Sequence, residues 1–280
     1  MKEIEIKELD LESLKKIDCL CIPKEELNDP VYIEGRHLWK EWIVENLKKY
    51  DSVGKIASLD SDILGYIQYI PKPIQSVVEI KCIYASKDER KEWIKERLLK
   101  TTIEEFEKTK PYFDDEKAKA LVVYPYPVPK GRDEGDFFMK NDFKVSSKDK
   151  NLLFFPLKEN FEPVSEKLES RIQPESRNKA LIYCNASCPY CVKEMTDALQ
   201  LIREVDTDIP VKIIVPFEKT ERLNESFSMP TSVVINDELI RFPLLDDENF
   251  LKKLKDKLDL KKLEEEDMKI LEMNDELRKK

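Results

Sequence analysis

The stretch Cys188–Cys191, which reads Cys-Pro-Tyr-Cys, constrains this chain more than any other, because two cysteines at this spacing act together only in a defined local geometry. An apolar run, Ala180–Cys184, precedes it, and apolar residues at helical spacing follow it. The pattern predicts a strand, a short loop and a C-x-x-C motif at the first turn of a helix. Free backbone N–H groups and the helix dipole favour a thiolate there, so Cys188 is the expected nucleophile and Cys191 the expected resolving thiol.

The residues downstream extend this pattern. A second strand is predicted at Val211–Val215, and Met229-Pro230 precedes a third strand at Thr231–Ile235, a turn, a fourth strand and a last helix. This order resembles the thioredoxin/glutaredoxin family across roughly residues 176–258. The resemblance implies that a cis-proline faces the active cysteines and that the residue before it pairs with substrate backbone. These roles fall on Pro230 and Met229, and the resemblance also gives Pro189 and Tyr190 contact with a substrate.

Composition limits the classes of partner. The 49 basic and 58 acidic residues give a net charge of −9, which argues against non-specific nucleic-acid binding. No apolar run reaches membrane-spanning length, and the charged start Met1–Glu5 is not typical of a signal peptide, so a cytoplasmic protein without a membrane partner is expected. Six cysteines in 280 residues are too few for a disulfide scaffold. A chain of this length favours two domains.

The N-terminal part predicts strands and helices in the order β-α-α-β-β-β-α-β-α-β, with an irregular segment from Cys19 to Tyr32 before the second helix. It resembles a GNAT-type N-acetyltransferase, most closely at Gly65–Pro71 and Phe137–Phe143. The whole chain resembles a group of acetyltransferases that carry an appended thioredoxin-like domain (YoaP-like). The fold class expected is therefore α/β, in which an N-terminal GNAT-like mixed sheet flanked by helices (an α+β sandwich) is joined to a thioredoxin-like domain. The expected divisions are a GNAT-like domain at 1–160, a linker at 161–178, a thioredoxin/glutaredoxin-like domain at 179–258 and a charged helical tail at 259–280.

The GNAT resemblance implies an acetyl-CoA site with two departures. Family members bind the pyrophosphate with a Gln/Arg-x-x-Gly-x-Gly/Ala turn after their fourth strand, and the matching residues 86–92 contain no glycine. Lys87, Arg90 and Lys91 are the remaining candidates for cofactor contacts. Many members also use a tyrosine as general acid, and Phe138 occupies that position, where it cannot donate a proton. Both departures predict a degenerate domain that positions a substrate or partner, although Tyr124 and Tyr126 remain possible substitute acids.

Five other residues are candidate metal ligands or redox groups. They are His37, Cys19, Cys21, Cys82 and Cys184. A structural zinc site normally needs four ligands and the chain has no second C-x-x-C, so no metal site is expected. Cys82 alternates with Ile80 and Tyr84, which predicts packing of all three on one face of a strand, in the core or in a cofactor groove.

Three functions remain open. The first is a thiol–disulfide oxidoreductase that uses Cys188 and Cys191, needs no cofactor and acts on a protein or small-molecule disulfide. The second is an active GNAT-type N-acetyltransferase that uses acetyl-CoA, with the thioredoxin-like domain as a regulatory or substrate-delivery module. The third is a non-enzymatic binding module. The sequence pattern favours the first. Heptad-spaced apolar residues in the tail 259–280 favour packing on the chain's own domains and also allow a homodimer through a short coiled coil.

Overall fold

A computed structural model describes residues 3–17, 20–86, 90–125, 134–163, 179–215, 231–235, 238–241 and 248–256. These residues form two units. The first contains the strands and helices up to residue 163 and, with them, the segment Cys184–Lys193. The second contains the strand before that segment, Glu194–Ile214 and the described residues from Thr231 on. The C-x-x-C loop therefore packs as part of the first unit.

The first unit is built on a seven-stranded mixed sheet. Its strands are β1 Glu5–Glu8, β2 Gly54–Leu59, β3 Asp62–Lys72, β4 Val77–Ala85, β5 Ala120–Val123, β6 Lys144–Val145 and β7 Leu153–Pro156. Their order in the sheet is β1-β2-β3-β4-β5-β7-β6, and only β4 and β5 pair in parallel. The sheet confirms the predicted order of elements and adds β6, which is too short to give a sequence signal.

Helices cover both faces of this sheet. They are α1 Leu11–Lys16, α2 Pro30–Tyr50, α3 Lys91–Phe106 and α4 Glu134–Lys140. Apolar residues of α3 and α4 pack in one core cluster with Ile67, Val78 and Ile80. Residues of α1 and α2 pack in a second cluster with Tyr66 and Ile70. Two cores on one sheet result because successive strand residues point to opposite faces.

The second helix begins earlier than the sequence indicated. Residues up to Tyr32 were expected to be irregular, but α2 starts at Pro30. The side chain of Asp29 accepts a hydrogen bond from the backbone N–H of Val31, and proline suits the first helical position because its missing N–H needs no partner there. An Asp-Pro pair is therefore a helix start in this chain rather than a break.

The second unit contains a four-stranded sheet. Its elements are β8 Ala180–Tyr183, α5 Cys191–Val205, β9 Val211–Ile214, β10 Ser232–Ile235, β11 Glu238–Arg241 and helical residues 248–256. The first turn of α5 belongs to the first unit. The strand order is β11-β10-β8-β9, with β8 and β9 parallel and the other pairs antiparallel. The predicted succession of strand, helix and three further strands is present. Within the ranges given above, no helix has the length and apolarity that a membrane span requires.

Candidate functional site

The free edge of β4 is the main feature of the first sheet. β4 pairs with β5 only from Val77 to Ile80, opposite Ala120–Val123. It then continues to Ala85. One edge of β4 remains paired with β3, and no described strand pairs with the other edge over Lys81–Ala85. The two parallel strands therefore part after Ile80, and one side of β4 keeps backbone N–H and C=O groups that an extended ligand can bind.

A β-bulge lies where the strands part. Gln68 is opposite Cys82 and Tyr69 is opposite Ile80, so Lys81 is the extra residue without a partner on β3. The bulge also corrects the prediction that Ile80, Cys82 and Tyr84 share a face. Ile80 belongs to the α3/α4 core, whereas Cys82 and Tyr84 pack against the α2 core.

Three charged side chains meet beside the bulge. Lys81 Nζ lies 2.8 Å from Glu79 Oε1, and Lys72 Nζ lies 3.5 Å from Glu79 Oε2. The exposed fractions of the three side chains are only 2–3%. Burial lowers the pKa of Lys81 to about 8, an effect that Glu79 opposes and Lys72 reinforces. Lys81 is thus an amine that exchanges a proton near neutral pH. We call Lys72, Glu79 and Lys81 the lysine–glutamate cluster.

A hydrogen-bond relay connects α2, β3 and the C-x-x-C loop. The indole Nε1–H of Trp39 donates to Gln68 Oε1 at 2.8 Å, and Gln68 Nε2 donates to the carbonyl oxygen of Ser187 at 3.1 Å. Gln68 is completely buried. Because Gln68 is opposite Cys82, the relay lies next to the bulge.

Tyr190 and Pro189 also pack in the first unit. The Tyr190 hydroxyl donates to the carbonyl oxygen of Cys21 at 2.9 Å, and its ring meets that of Tyr32 edge to face. A Cβ atom at Gly35 would collide with the carbonyl oxygen of Pro189, so α2 needs glycine there for this close approach. The dipeptide that was expected to contact a substrate is therefore held against α2.

The described cysteines lie in different surroundings. Cys188 is half-buried, whereas Cys184 and Cys191 are buried. The Tyr66 hydroxyl donates to Cys21 Sγ at 3.7 Å and accepts from Cys82 Sγ at 3.8 Å. Burial raises the pKa of both thiols, so neither is an activated nucleophile.

The predicted acetyl-CoA contacts lie around the start of α3. Arg90 is exposed at the N-cap position, and Lys91 is the first residue of the helix. The side chain of the N-cap residue, Arg90, forms no capping hydrogen bond with the first turn of α3, and the positive end of the helix dipole lies at this turn. Phe138 is completely buried in the α3/α4 core. The Tyr124 hydroxyl donates to Asp149 Oδ2 at 2.9 Å.

Some predicted residues lie outside the described residues: Cys19, Lys87, Tyr126, Met229, Pro230 and most of the linker and tail. His37 lies on α2 with its Nδ1 3.6 Å from Glu41 Oε1, and both side chains are exposed. No group of three or more potential metal ligands occurs in the part of the chain that the structure describes.

Comparisons with known proteins found similar solved structures. No family model and no curated protein matches the chain. Similar solved structures include an aminoglycoside 6′-acetyltransferase type Ii (15% identity, 55% of this chain and 97% of that chain, TM-score 0.39). The PaiA N-acetyltransferase from Thermoplasma acidophilum in complex with coenzyme A is 18% identical over 54% of this chain and 96% of its own, with a TM-score of 0.39. A GNAT family acetyltransferase from Brucella melitensis in complex with acetyl-CoA is 11% identical over 59% and 94%, also with a TM-score of 0.39.

These observations correct the main functional prediction. The expectation of a thiol–disulfide oxidoreductase is wrong: the similar structures are acetyltransferases, and no thioredoxin-like protein is among them. In the structure, Pro189 and Tyr190, which were expected to contact a substrate, pack against α2. The expectation that no cofactor is needed is wrong for the same reason, since two of these structures contain coenzyme A or acetyl-CoA. The mixed sheet flanked by helices that was expected for the N-terminal part is present.

The lysine–glutamate cluster was not among the predicted site residues. Lys72, Glu79 and Lys81 occur within strands that are otherwise apolar, and this was the available signal. Charged residues are rarely buried unless they are paired, so polar positions in an apolar strand deserve a search for partners on the neighbouring strand.

Proposed function

We propose that the first unit is an N-acyltransferase that takes the acyl group of an acyl-CoA and transfers it to an amine. The observation that carries the proposal is the free edge of β4 from Lys81 to Ala85. The arm of coenzyme A contains two amide groups, and such groups pair with the N–H and C=O groups of an unpaired strand edge.

The elements around this edge support one orientation of the ligand. α3 starts shortly after β4 ends, and the positive end of its dipole and the charge of Arg90 suit the phosphates. The acyl end then reaches the opposite end of the free edge, at the bulge of Lys81. Five strand residues span about 16 Å, which gives an extended arm room along the edge. When bound, the acyl-CoA supplies a thioester, and the chain's part is to hold it, exclude water and handle the proton of the amine.

The turn before α3 differs from the family pattern without removing its chemistry. It lacks the glycines that permit close backbone approach, and Glu92 in the first turn repels phosphate. Arg90 and Lys91 supply the opposite charge. We therefore expect weaker acyl-CoA binding than a glycine-rich turn would give.

Isothermal titration calorimetry with acetyl-CoA tests the proposal. We expect saturable binding of one acetyl-CoA per chain. Arg90→Glu should weaken it about tenfold, because it reverses a charge at the positive end of α3. The matched control is Lys100→Glu, the same reversal at an exposed position farther along α3, and its affinity should be unchanged. Absence of binding by the unaltered protein would refute the proposed function.

For the second unit we propose the thioredoxin-like fold, with a regulatory or substrate-delivery role. The support is the arrangement of β8 and β9 in parallel around α5, with β10 and β11 antiparallel. Acyl transfer should then survive the double substitution Cys188→Ser and Cys191→Ser. Loss of transfer together with retained acetyl-CoA binding would contradict this role.

A further inference from the structure

The lysine–glutamate cluster consists of side chains, whereas the backbone of β4 is what would hold the acyl-CoA arm. Two lysines and a glutamate lie with 2–3% of their side chains exposed on neighbouring strands. Burying charged groups costs several kcal/mol per ion before pairing is counted, so a chain that needed only packing here would be better served by apolar residues. The cluster therefore suggests a chemical role for its members.

Lys81 differs from its two partners by its place in the strand. It is the bulge residue, and it is the first residue of β4 beyond the last pair with β5. Its side chain is 3% exposed, yet the residue as a whole is only half-buried, so most of its exposed surface belongs to its main chain. The main chain of Lys81 thus lies on the free edge, at the end where the acyl group would arrive, while the amine lies beside it in the protein interior.

Resting on the proposed function, we infer that Lys81 is the general base of the transfer and accepts the proton of the incoming ammonium group. An ammonium ion has no lone pair, so the acceptor must lose a proton before its nitrogen can form a bond. One N–H bond of the acceptor breaks and a new N–H bond forms at Lys81 Nζ. The neutral nitrogen then forms a C–N bond to the thioester carbonyl carbon, the C–S bond breaks, and the departing sulfur takes the second proton from the nitrogen. Overall, an ammonium ion and a thioester become an amide, a thiol and one proton. Lys81 carries that one proton to solvent.

The surroundings of Lys81 make it suitable for this step. Burial disfavours its charged form, so its pKa falls to about 8, within the range where a lysine serves as a base. The described charged groups that act on it are Glu79 of its own strand, which favours the ammonium form, and Lys72 of β3, which disfavours it. A lysine amine must be neutral to accept a proton, so the reaction should accelerate as pH rises through this pKa.

Kinetics of three variants test the role. Lys81→Arg keeps a positive charge beside Glu79 but cannot give up its proton, and Lys81→Met removes the charge and the base together. The control is Lys55→Met, which removes another buried lysine, paired with Glu8 on β1 and far from the bulge in sequence. CoA release from acetyl-CoA is measured from pH 6 to 10 with a lysine-containing tripeptide and, separately, with water as the only acceptor, while calorimetry gives acetyl-CoA affinity.

We expect kcat/KM of the unaltered protein to rise to a plateau as pH passes through about 8. Both Lys81 variants should lose at least about 100-fold in kcat and lose this step in the pH profile, with acetyl-CoA affinity within about twofold. Lys55→Met should keep the step. Lys81 variants that retain kcat, or that retain the rise of kcat/KM near pH 8, would overturn the inference. An unaltered protein that binds acetyl-CoA but releases no CoA above the rate in buffer would also overturn it. Absence of binding would instead remove the proposed function and this role with it.

Discussion

Replacing Gln68 by leucine should destabilise the first unit strongly, because Gln68 satisfies two buried groups at once. Its Oε1 accepts from the Trp39 indole at 2.8 Å and its Nε2 donates to the Ser187 carbonyl at 3.1 Å. Leucine has a similar volume but offers neither partner. The Trp39 N–H and the Ser187 C=O would then be left buried without hydrogen bonds.

The magnitude follows from these two losses. A buried polar group without its partner costs about 1–3 kcal/mol, so two such groups cost about 2–6 kcal/mol. We expect about 3 kcal/mol, since leucine fills most of the vacated volume. With a urea m-value of about 2 kcal/mol/M, the unfolding midpoint should fall by about 1.5 M.

Tryptophan fluorescence is the appropriate assay. The chain has three tryptophans, Trp39, Trp42 and Trp93, and all lie in the first unit, so their emission reports on that unit alone. Gln75→Leu is a matched control, because Gln75 Oε1 is buried without a hydrogen-bond partner and its loss orphans no other group. The control should change the free energy of unfolding by less than about 0.5 kcal/mol. If Gln68→Leu costs as little as the control, the relay to Ser187 is not formed.

Two further substitutions test other parts of the structure. Gly35→Ala should lower the free energy of unfolding of the first unit by about 1–3 kcal/mol, because the added methyl group meets the Pro189 carbonyl. Replacing glycine by alanine within a helix usually raises this free energy by about 1 kcal/mol, and such a gain would show that the loop does not pack on α2. In the second unit, burial raises the pKa of Glu194 above its usual 4.5, and the nearby Thr231 hydroxyl partly opposes this shift. The free energy that Glu194 contributes to stability is therefore complete below pH 4.5 and is lost as pH rises through the raised pKa. Glu194→Gln should therefore flatten the fall in melting temperature between pH 4.5 and 8, followed by circular dichroism, and an unchanged slope would contradict the assignment.

Much of the architecture could be predicted from the sequence because it depends on local patterns. Alternating apolar residues and turn residues located the hairpin of β2 and β3, and helical periodicity located α3. The C-x-x-C motif was placed correctly at the start of a helix, α5. These features depend on neighbours within about ten residues along the chain, which is the range that a single sequence reveals.

The site was harder to predict because it depends on pairs of distant residues. The bulge at Lys81 breaks the alternation that placed Cys82 with Ile80, and a strand's pattern does not show where its partner ends. In the sequence, each member of the lysine–glutamate cluster resembles an ordinary solvated charge. Only the pairing of β3 with β4 shows that these side chains meet. The motif that stands out most in the sequence therefore suggested the wrong activity, while the site with the more unusual electrostatics had no motif.

Hydrogen–deuterium exchange with and without acetyl-CoA tests the central claim most directly. If the free edge of β4 holds the acyl-CoA arm, backbone amides between Lys81 and Ala85 should gain protection at saturating ligand, and those of β10 should not. Binding that leaves the amides of this edge unprotected would contradict the account.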